Sequence, residues 1–401
     1  MNAVGIDVSK GKSTVAILRP FGEIIVAPYD VTHTPTELRA LAKRIKELNG
    51  ESKIVMEFTG KYYEPIAQFL HNEGLFVAVV NPVLIHNYGI NSLRKVKTDK
   101  KDALKLAAYA LDRWSDLTEY FAQENLRLLL KSYNRQYNHY TQIKITLKNN
   151  LIALLDQTFP NVDTLFNKST QKSNGHTKWI DFVAKFPHAY SVSQKSFSVF
   201  SKSYLSWCRK YGYQYTAEKA RRIYDFAHNC IPSLPFNEST GLLISRAVVQ
   251  LNCIMETVTS LADEMAAVAS NLPEYDIAIS FFGISPLTAS FLIAEIGDIR
   301  RFHSKHALVA FAGIDAPPCQ SGNLDIKSRS ISKRGSPYLR KTLFLIMNVI
   351  YMNAPADNCL YQYMEKKRNE GKHYFVCLIA AANKFLRIYY AKVNARLSSA
   401  S

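Results

Sequence analysis

Near the N-terminus the apolar positions come in short runs. Ala3-Val4-Gly5-Ile6 ends by presenting Asp7, a Gly/Lys/Ser turn follows, and Ser13-Thr14-Val15-Ala16-Ile17-Leu18 makes a second run. Their length and β-branched content predict a buried hairpin, and Gly22-Glu23-Ile24-Ile25-Val26-Ala27 offers a third strand. Thr34-Pro35-Thr36-Glu37 then combines an N-cap Thr, Pro at the first helical position and Glu at the third. That is a capping-box start for a helix through Leu38, Leu41, Ile45 and Leu48 that stops at Gly50. A strand over 54–58, a helix over 63–73, Gly74, a strand over 75–80 and a further helix after Asn81-Pro82 complete the region. A three-strand meander followed by alternating helices and strands is an α/β layout.

From Leu126 the period changes. Leu126, Leu130, Tyr133, Tyr137, Tyr140, Lys144, Leu147, Leu151 and Leu154 alternate spacings of four and three, a heptad seam interrupted by the charge of Lys144. Ile244, Val248, Leu251, Met255, Val258, Ala262, Met265, Ala269 and Leu272 repeat the pattern up to Pro273. Two seams around an insertion predict an antiparallel arm with material at its tip or a dimerising coiled coil; ordinary bundle helices carry the same pattern. The insertion, about residues 157–243, mixes bases with aromatics at Lys178-Trp179, Tyr204, Trp207, Arg209-Lys210-Tyr211 and Arg221-Arg222. That mix suits stacking and phosphate contacts with RNA, and equally a small helical subdomain with its charges in water. Beyond Pro273, Phe281-Phe282-Gly283-Ile284-Ser285-Pro286 leads into an apolar helix ending at Glu295-Ile296-Gly297-Asp298, a pattern resembling a helix-hairpin-helix that aims backbone N–H groups at a phosphate. Apolar helices over 339–349 and 374–390 close this last region. The expected divisions are 1–120, 121–272 and 273–401, an α/β domain followed by all-α parts.

Charge changes the picture. The 401 residues carry 50 Lys and Arg against 33 Asp and Glu, a formal net charge of +17 with no basic tail to account for it. A folded chain this basic points to a polyanionic partner, nucleic acid first. No signal-peptide pattern and no run of about 18 apolar residues is evident, so a membrane partner is not expected and the chain reads as soluble and cytosolic. The six cysteines show no Cys-x-x-Cys spacing, which argues against a zinc site or a disulfide framework.

The candidate chemistry is acidic and N-terminal. Asp7 ends the first strand, Glu57 follows Ile54-Val55-Met56, and Asp99 and Asp102 stand at i, i+3 on a helix start. Together they form a hard-oxygen donor set suited to Mg²⁺ or Mn²⁺, although each alone is an ordinary strand-end or cap residue. Near the C-terminus, Gln320-Ser321-Gly322 precedes a basic segment holding Lys327, Arg329, Lys333, Arg334, Arg340 and Lys341. A hydroxyl beside that charge is a nucleophile toward phosphorus or a turn residue; spacing alone leaves both open.

The N-terminal layout resembles the ribonuclease H fold. Several motifs in order, Gly5-Ile6-Asp7-Val8-Ser9-Lys10, Met56-Glu57-Phe58-Thr59-Gly60, Asn81-Pro82, Lys97-Thr98-Asp99-Lys100-Lys101-Asp102-Ala103, Gly283-Ile284, Glu295-Ile296-Gly297-Asp298, Phe311-Ala312-Gly313, Gln320-Ser321-Gly322 and Ser332-Lys333-Arg334-Gly335, resemble the DEDD transposases of bacterial insertion sequences, the IS110 family. The match covers the first 115 residues and 277–350. The resemblance implies a resolvase-like N-terminal domain, a coiled-coil connector and a C-terminal transposase domain. It implies that Asp7, Glu57, Asp99 and Asp102 hold the metal and that Ser321 bonds covalently to DNA. It further implies donor and target DNA and a noncoding bridge RNA as partners, a homodimer that assembles into a tetramer on DNA, and a nucleoid location. Lys97, Lys100, Lys101, Lys327, Arg329, Lys333, Arg334 and Arg340 are the expected nucleic-acid contacts. Because Ser321 is distant from the four acids in sequence, the resemblance requires two domains to meet, within one chain or across a dimer. The loop Asp315-Ala316-Pro317-Pro318-Cys319 departs from the more basic loop of many relatives.

Three readings of other classes compete. A sugar-kinase or actin-like ATPase shares the Gly-Ile-Asp strand end, but its second phosphate hairpin and Gly-rich adenosine loop are missing. A Holliday-junction-type metal-dependent nuclease uses the four acids and has no need of Ser321. A non-catalytic nucleic-acid scaffold tolerates loss of all of them. A site-specific DNA invertase of the same family stays open.

Overall fold

Asn2–Val8 forms β1, the central strand of a five-stranded sheet. The hairpin strands β2 (Lys12–Arg19) and β3 (Glu23–Thr32) follow, then α1 (Pro35–Lys46), β4 (Ser52–Glu57), α2 (Tyr63–Asn72), β5 (Phe76–Val80), α3 (Pro82–Tyr88) and α4 (Asp99–Asp112). The order is β3-β2-β1-β4-β5, antiparallel through the meander and parallel from β1 to β4 to β5. The meander of β1 to β3 and the alternation of helices and strands after it are the α/β layout that the sequence predicts. The structure, a computed structural model, describes residues 1–58, 60–88, 98–121, 124–166, 173–316, 320–321, 324–325 and 330–399, with 320–321 and 324–325 described in backbone only. The chain divides into two compact units, Met1–Ala122 and Gln123–Ser401.

Strand alternation sorts the core of the first unit into two layers. Val4, Ile6, Ile54 and Met56 face α1 and α2, meeting Leu38, Leu41, Ile45, Ile66 and Leu70. Thr34 starts α1 by accepting from the Glu37 N–H at 3.3 Å, with Pro35 in the first turn, as the capping pattern predicts. Ala3, Val55 and Ala78 face the other way, onto Leu106, Ala107 and Ala110 of α4. The small residues of α4 let it approach β1 so closely that a Cβ on Gly5 would overlap the Ala103 carbonyl oxygen and lie 2.5 Å from the Ala107 nitrogen.

The second unit is helical. α5 (Asn125–Thr158) leads into a tip of α6 (Lys178–Lys185), α7 (Tyr190–Ser193), α8 (Phe197–Tyr211) and α9 (Ala217–His228), and α10 (Glu238–Ala269) returns. Leu130 shares a core with Met265 and Ala269, while Leu151 and Leu155 share another with Ile244, Val248 and Leu251. The two long helices therefore run antiparallel within one chain, the arm of the two arrangements expected. Among the described residues α10 is the one helix long and apolar enough on average to cross a membrane, although polar residues interrupt it; its Ile244, Val248, Leu251, Met255, Val258, Met265 and Ala269 are buried in the protein.

The tip decides between the two readings of its aromatics. Trp179, Tyr204 and Trp207 are 9%, 0% and 4% exposed and pack with Phe159, Phe182, Phe186 and Phe200, as in a small helical subdomain. Of that group, the bases Arg209 and Lys210 with Tyr211, and Arg221 with Arg222, are what the tip presents to solvent. Beyond the arm, α11 (Tyr275–Ile279), α12 (Pro286–Ile296), α13 (Lys305–Ala312), the two-residue strands β6 (Gln320–Ser321) and β7 (Leu324–Asp325), α14 (Pro337–Asn353), α15 (Cys359–Asn369) and α16 (Tyr374–Ser398) complete the unit. α12 is a core helix, with Ala289, Leu292, Ile293, Ala294 and Ile296 buried.

Candidate functional site

In the first unit the four acids fall at one end of the sheet. Ile6 pairs with Met56 across the parallel β1–β4 ladder, so Asp7 and Glu57 occupy the next positions on adjacent strands. Both continue the α4-facing series, Asp7 after Ala3 and Gly5, Glu57 after Val55. α4 runs from this end of the sheet, since Ala103 lies over Gly5 while Leu106, Ala107 and Ala110 share a cluster with Ala3 and Leu18. Its first turn carries Asp99 and Asp102, and the Thr98 hydroxyl caps it by accepting from the Lys101 N–H at 3.3 Å. Carboxylates at a helix N-terminus are stabilised by the exposed N–H groups there. Asp7, Glu57 and Asp102 are half-buried and Asp99 is exposed.

A donor set made only of carboxylates fits a hard divalent cation such as Mg²⁺. Among the described residues no three His, Cys, Asp or Glu side chains are already gathered tightly enough to hold an ion. What is assembled is the backbone frame.

Sequence reasoning passed over two neighbours of these acids. Asp7 pairs with Thr14 on β2, and Thr14 pairs with Asp30 on β3, one row across three strands. Asp30 accepts from the Thr14 hydroxyl at 2.8 Å and from the Lys12 ammonium at 2.7 Å. The hydrogen bond and charge of Asp30, with a smaller contribution from Asp99, hold the Lys12 ammonium above its ordinary range. Hydrogen bonds from Lys12 and Thr14 hold the Asp30 carboxyl below its own, and Lys100 adds to this. Lys100 and Lys101 are exposed at the start of α4; Lys97 lies outside the described residues.

In the second unit, Ser321 sits on the short β6–β7 ladder, where its backbone pairs with Leu324. Its side chain, together with Lys327 and Arg329, lies outside the described residues. The neck of that loop is zipped: Ser332 N donates to Asp315 O at 2.8 Å, Lys333 N to Gly313 O at 3.0 Å and Ser336 N to Phe311 O at 2.8 Å. The Ser332 hydroxyl also bonds the Asp315 carboxylate. Gly335 crosses the end of α13 where a Cβ would overlap the Phe311 carbonyl oxygen. Lys333 and Arg334 are exposed on this neck. Arg340, expected among the phosphate contacts, donates to Ala312 O at 3.1 Å and Gly335 O at 3.0 Å, so it ties the neck to α14.

Behind the neck is a buried carboxylate. Glu295, 4% exposed, accepts from Asn134 Nδ2 at 2.6 Å, from Arg135 Nη2 at 3.1 Å and from the Ser336 hydroxyl at 2.7 Å. Ser336 also caps α14 by accepting from the Leu339 N–H at 3.1 Å. Asp298, 1% exposed, binds Arg300 Nε at 3.0 Å. Burial alone would raise the Asp298 pKa, but the Arg300 hydrogen bonds and nearby Arg127 carry it below the usual carboxylate range. The Glu-Ile-Gly-Asp motif thus braces the helices that carry the Ser321 loop.

Comparison with known proteins matches both ends of the chain. Residues 4–160 match a family model described as a transposase, named for DEDD and IS110, and residues 275–362 match one described as Transposase IS116/IS110/IS902 family. The pilin gene-inverting proteins of Moraxella lacunata and Moraxella bovis are 25% and 26% identical over 343 residues, covering 85% of this chain and 80% of theirs. The transposase for insertion sequence element IS1111A of Coxiella burnetii is 32% identical over 134 residues, covering 32% of this chain and 35% of its own. Among solved structures, RuvC of Thermus thermophilus aligns over 30% of this chain and all of its own, at 12% identity and a TM-score of 0.23.

Proposed function

Because the chain belongs to the IS110 family of transposases, enzymes that cut and rejoin DNA, we propose that it moves an insertion sequence through a covalent serine–DNA intermediate. Asp7, Glu57, Asp99 and Asp102 are the metal-holding acids of this reading, and Ser321 is its nucleophile. The observation that carries it is the frame around the first unit's acids. Asp7 and Glu57 end adjacent parallel strands on the face that the first turn of α4 approaches with Asp99 and Asp102.

These carboxylates would hold Mg²⁺ or Mn²⁺, which would supply charge neutralisation at the scissile phosphate. The Ser321 oxygen attacks phosphorus, one ester P–O bond breaks, and the leaving DNA oxygen takes a proton. The phosphoserine keeps the energy of the broken bond. A hydroxyl of the partner strand then attacks it, the serine oxygen leaves and recovers its proton, and strands are rejoined without ATP. In this reading the first unit is the resolvase-like domain and the α5–α10 pair is its coiled-coil connector.

Donor and target DNA are the substrates, selected by pairing with a noncoding bridge RNA. The +17 charge and the exposed Lys100, Lys101, Lys333 and Arg334 support polyanionic partners. The working assembly is a homodimer that becomes a tetramer on DNA, and the chain works at the nucleoid. A second reading, a site-specific invertase of the same family, is favoured by the two pilin gene-inverting proteins matched along 85% of the chain.

The test incubates the full chain with donor DNA, target DNA and the RNA encoded beside its gene, with and without Mg²⁺. Rejoined junctions that need both RNA and metal support the reading. Cutting of a defined DNA sequence without RNA overturns the guide, and inversion of a flanked segment in place of insertion assigns the invertase.

A further inference from the structure

We propose that Lys12 is a substrate-binding residue of this active site, a cation that grips a DNA phosphate beside the scissile one, and that Asp30 and Thr14 position it. The inference rests on the reading of the four acids as the cutting centre.

Three geometric facts place Lys12. It stands two residues before Thr14 on β2, so both point to the sheet face that bears Asp7. It is tethered: Asp30, in register with Thr14, takes the Lys12 ammonium at 2.7 Å with one carboxylate oxygen and the Thr14 hydroxyl at 2.8 Å with the other. Both partners of the pair remain about half exposed, 50% and 49%, so the ammonium is steered without being buried.

An ammonium has three N–H donors, and Asp30 engages one. Two remain for phosphate oxygens. An isolated exposed ion pair contributes little to stability, so this one is poorly explained as a brace for the fold. Nor does Asp30 cancel the site's attraction for phosphate. Lys100, at the start of α4, lies close enough for its charge to act on Asp30, as the charge of Asp99 acts on Lys12. Lys12, Lys100 and Asp30 together keep a net positive charge next to four carboxylates. Such a cation suits DNA entering an all-acid site, since contacts to backbone phosphates are what position the duplex.

The experiment compares the full-length protein with Lys12→Gln, Lys12→Arg and Asp30→Asn. With the RNA encoded beside its gene present throughout, affinity for labelled donor DNA is measured over a salt series in Ca²⁺, and single-turnover cutting in Mg²⁺. Loss of one charge-assisted contact predicts that Lys12→Gln weakens DNA binding by about ten-fold or more. It also predicts a salt slope shallower by roughly one contact, 0.9 in log units. Lys12→Arg retains most of the affinity, and Asp30→Asn falls between, with an unchanged melting temperature. Equal affinity and equal slope for Lys12→Gln and the parent overturn the proposal, whatever the cutting assay shows. If the parent fails to cut in Mg²⁺ yet Lys12→Gln still loses affinity and slope, the phosphate contact stands and the cutting-centre reading falls.

Discussion

The carbonyl oxygen of Ala103 fills the space that a Cβ on Gly5 would need. Helix α4 therefore rides on the backbone of β1, and that contact fixes where Asp99 and Asp102 stand relative to Asp7. Gly5→Ala forces the helix off the strand. Overpacking of this kind costs about 1–3 kcal/mol, so the unfolding transition of the first unit should move to lower temperature, with cutting lost even where the fold survives. A variant that melts and cuts like the parent would show that α4 docks elsewhere.

Removing one of the acids proposed to hold metal should separate chemistry from folding. Asp7→Asn and Asp102→Asn are expected to abolish cutting in Mg²⁺ while leaving nucleic-acid affinity and melting temperature near the parent's. Titration calorimetry with Mg²⁺ should show the bound heat reduced in both. Full cutting by either variant removes that acid from the site.

Tip aromatics belong to the core, and a mutation can tell that role from RNA stacking. Trp207→Ala should cost about 3–5 kcal/mol of stability in urea titration, the usual loss for a buried Trp. Arg209→Gln with Lys210→Gln should leave stability unchanged and lower RNA affinity in a salt-dependent way. Intact stability in Trp207→Ala would restore the stacking reading.

Much of this was legible in the sequence, because the signals were local. The opening strand, the Thr34-Pro35 cap, the seam on α10 and the acids at strand and helix ends follow from period and capping alone. The misses were signals that periodicity contained or that only tertiary pairing reveals. Phe200, Tyr204 and Trp207 are spaced four and three apart, the stripe of a helix core, yet the surrounding bases fit a binding face equally well, and only the packing decides. Glu295 looks like a stray charge on an apolar helix until Asn134 and Arg135, 161 and 160 residues away in sequence, and Ser336 close on it. Lys12 and Asp30 are 18 residues apart and meet only through the register of β2 on β3. Arg340 stands in a basic segment, and only the fold reveals that its Nη1 donates to the carbonyls of Ala312 and Gly335.

Glu295 offers a test of how the Ser321 loop is held. Glu295→Gln leaves Arg135 without its carboxylate, and breaking a buried pair from one side costs about 3–5 kcal/mol. Arg135 keeps 27% side-chain exposure, so the lower end of that range is expected. Urea titration of the second unit measures it. Ser336→Ala, which removes one contact to Glu295 and the cap of α14, should cost about 1 kcal/mol and slow covalent attachment more than DNA binding.

The central claim is that a serine, and not water, attacks the DNA. Its most direct measurement is a denaturing gel of the full-length protein incubated in Mg²⁺ with end-labelled donor and target DNA and the RNA encoded beside its gene. The account predicts a labelled band at the mass of protein plus DNA. It predicts the band's loss in both Ser321→Ala and Asp7→Asn, with RNA and DNA binding retained in each. A protein-linked band that persists in Ser321→Ala, or free cut ends with no adduct from the parent, would contradict it.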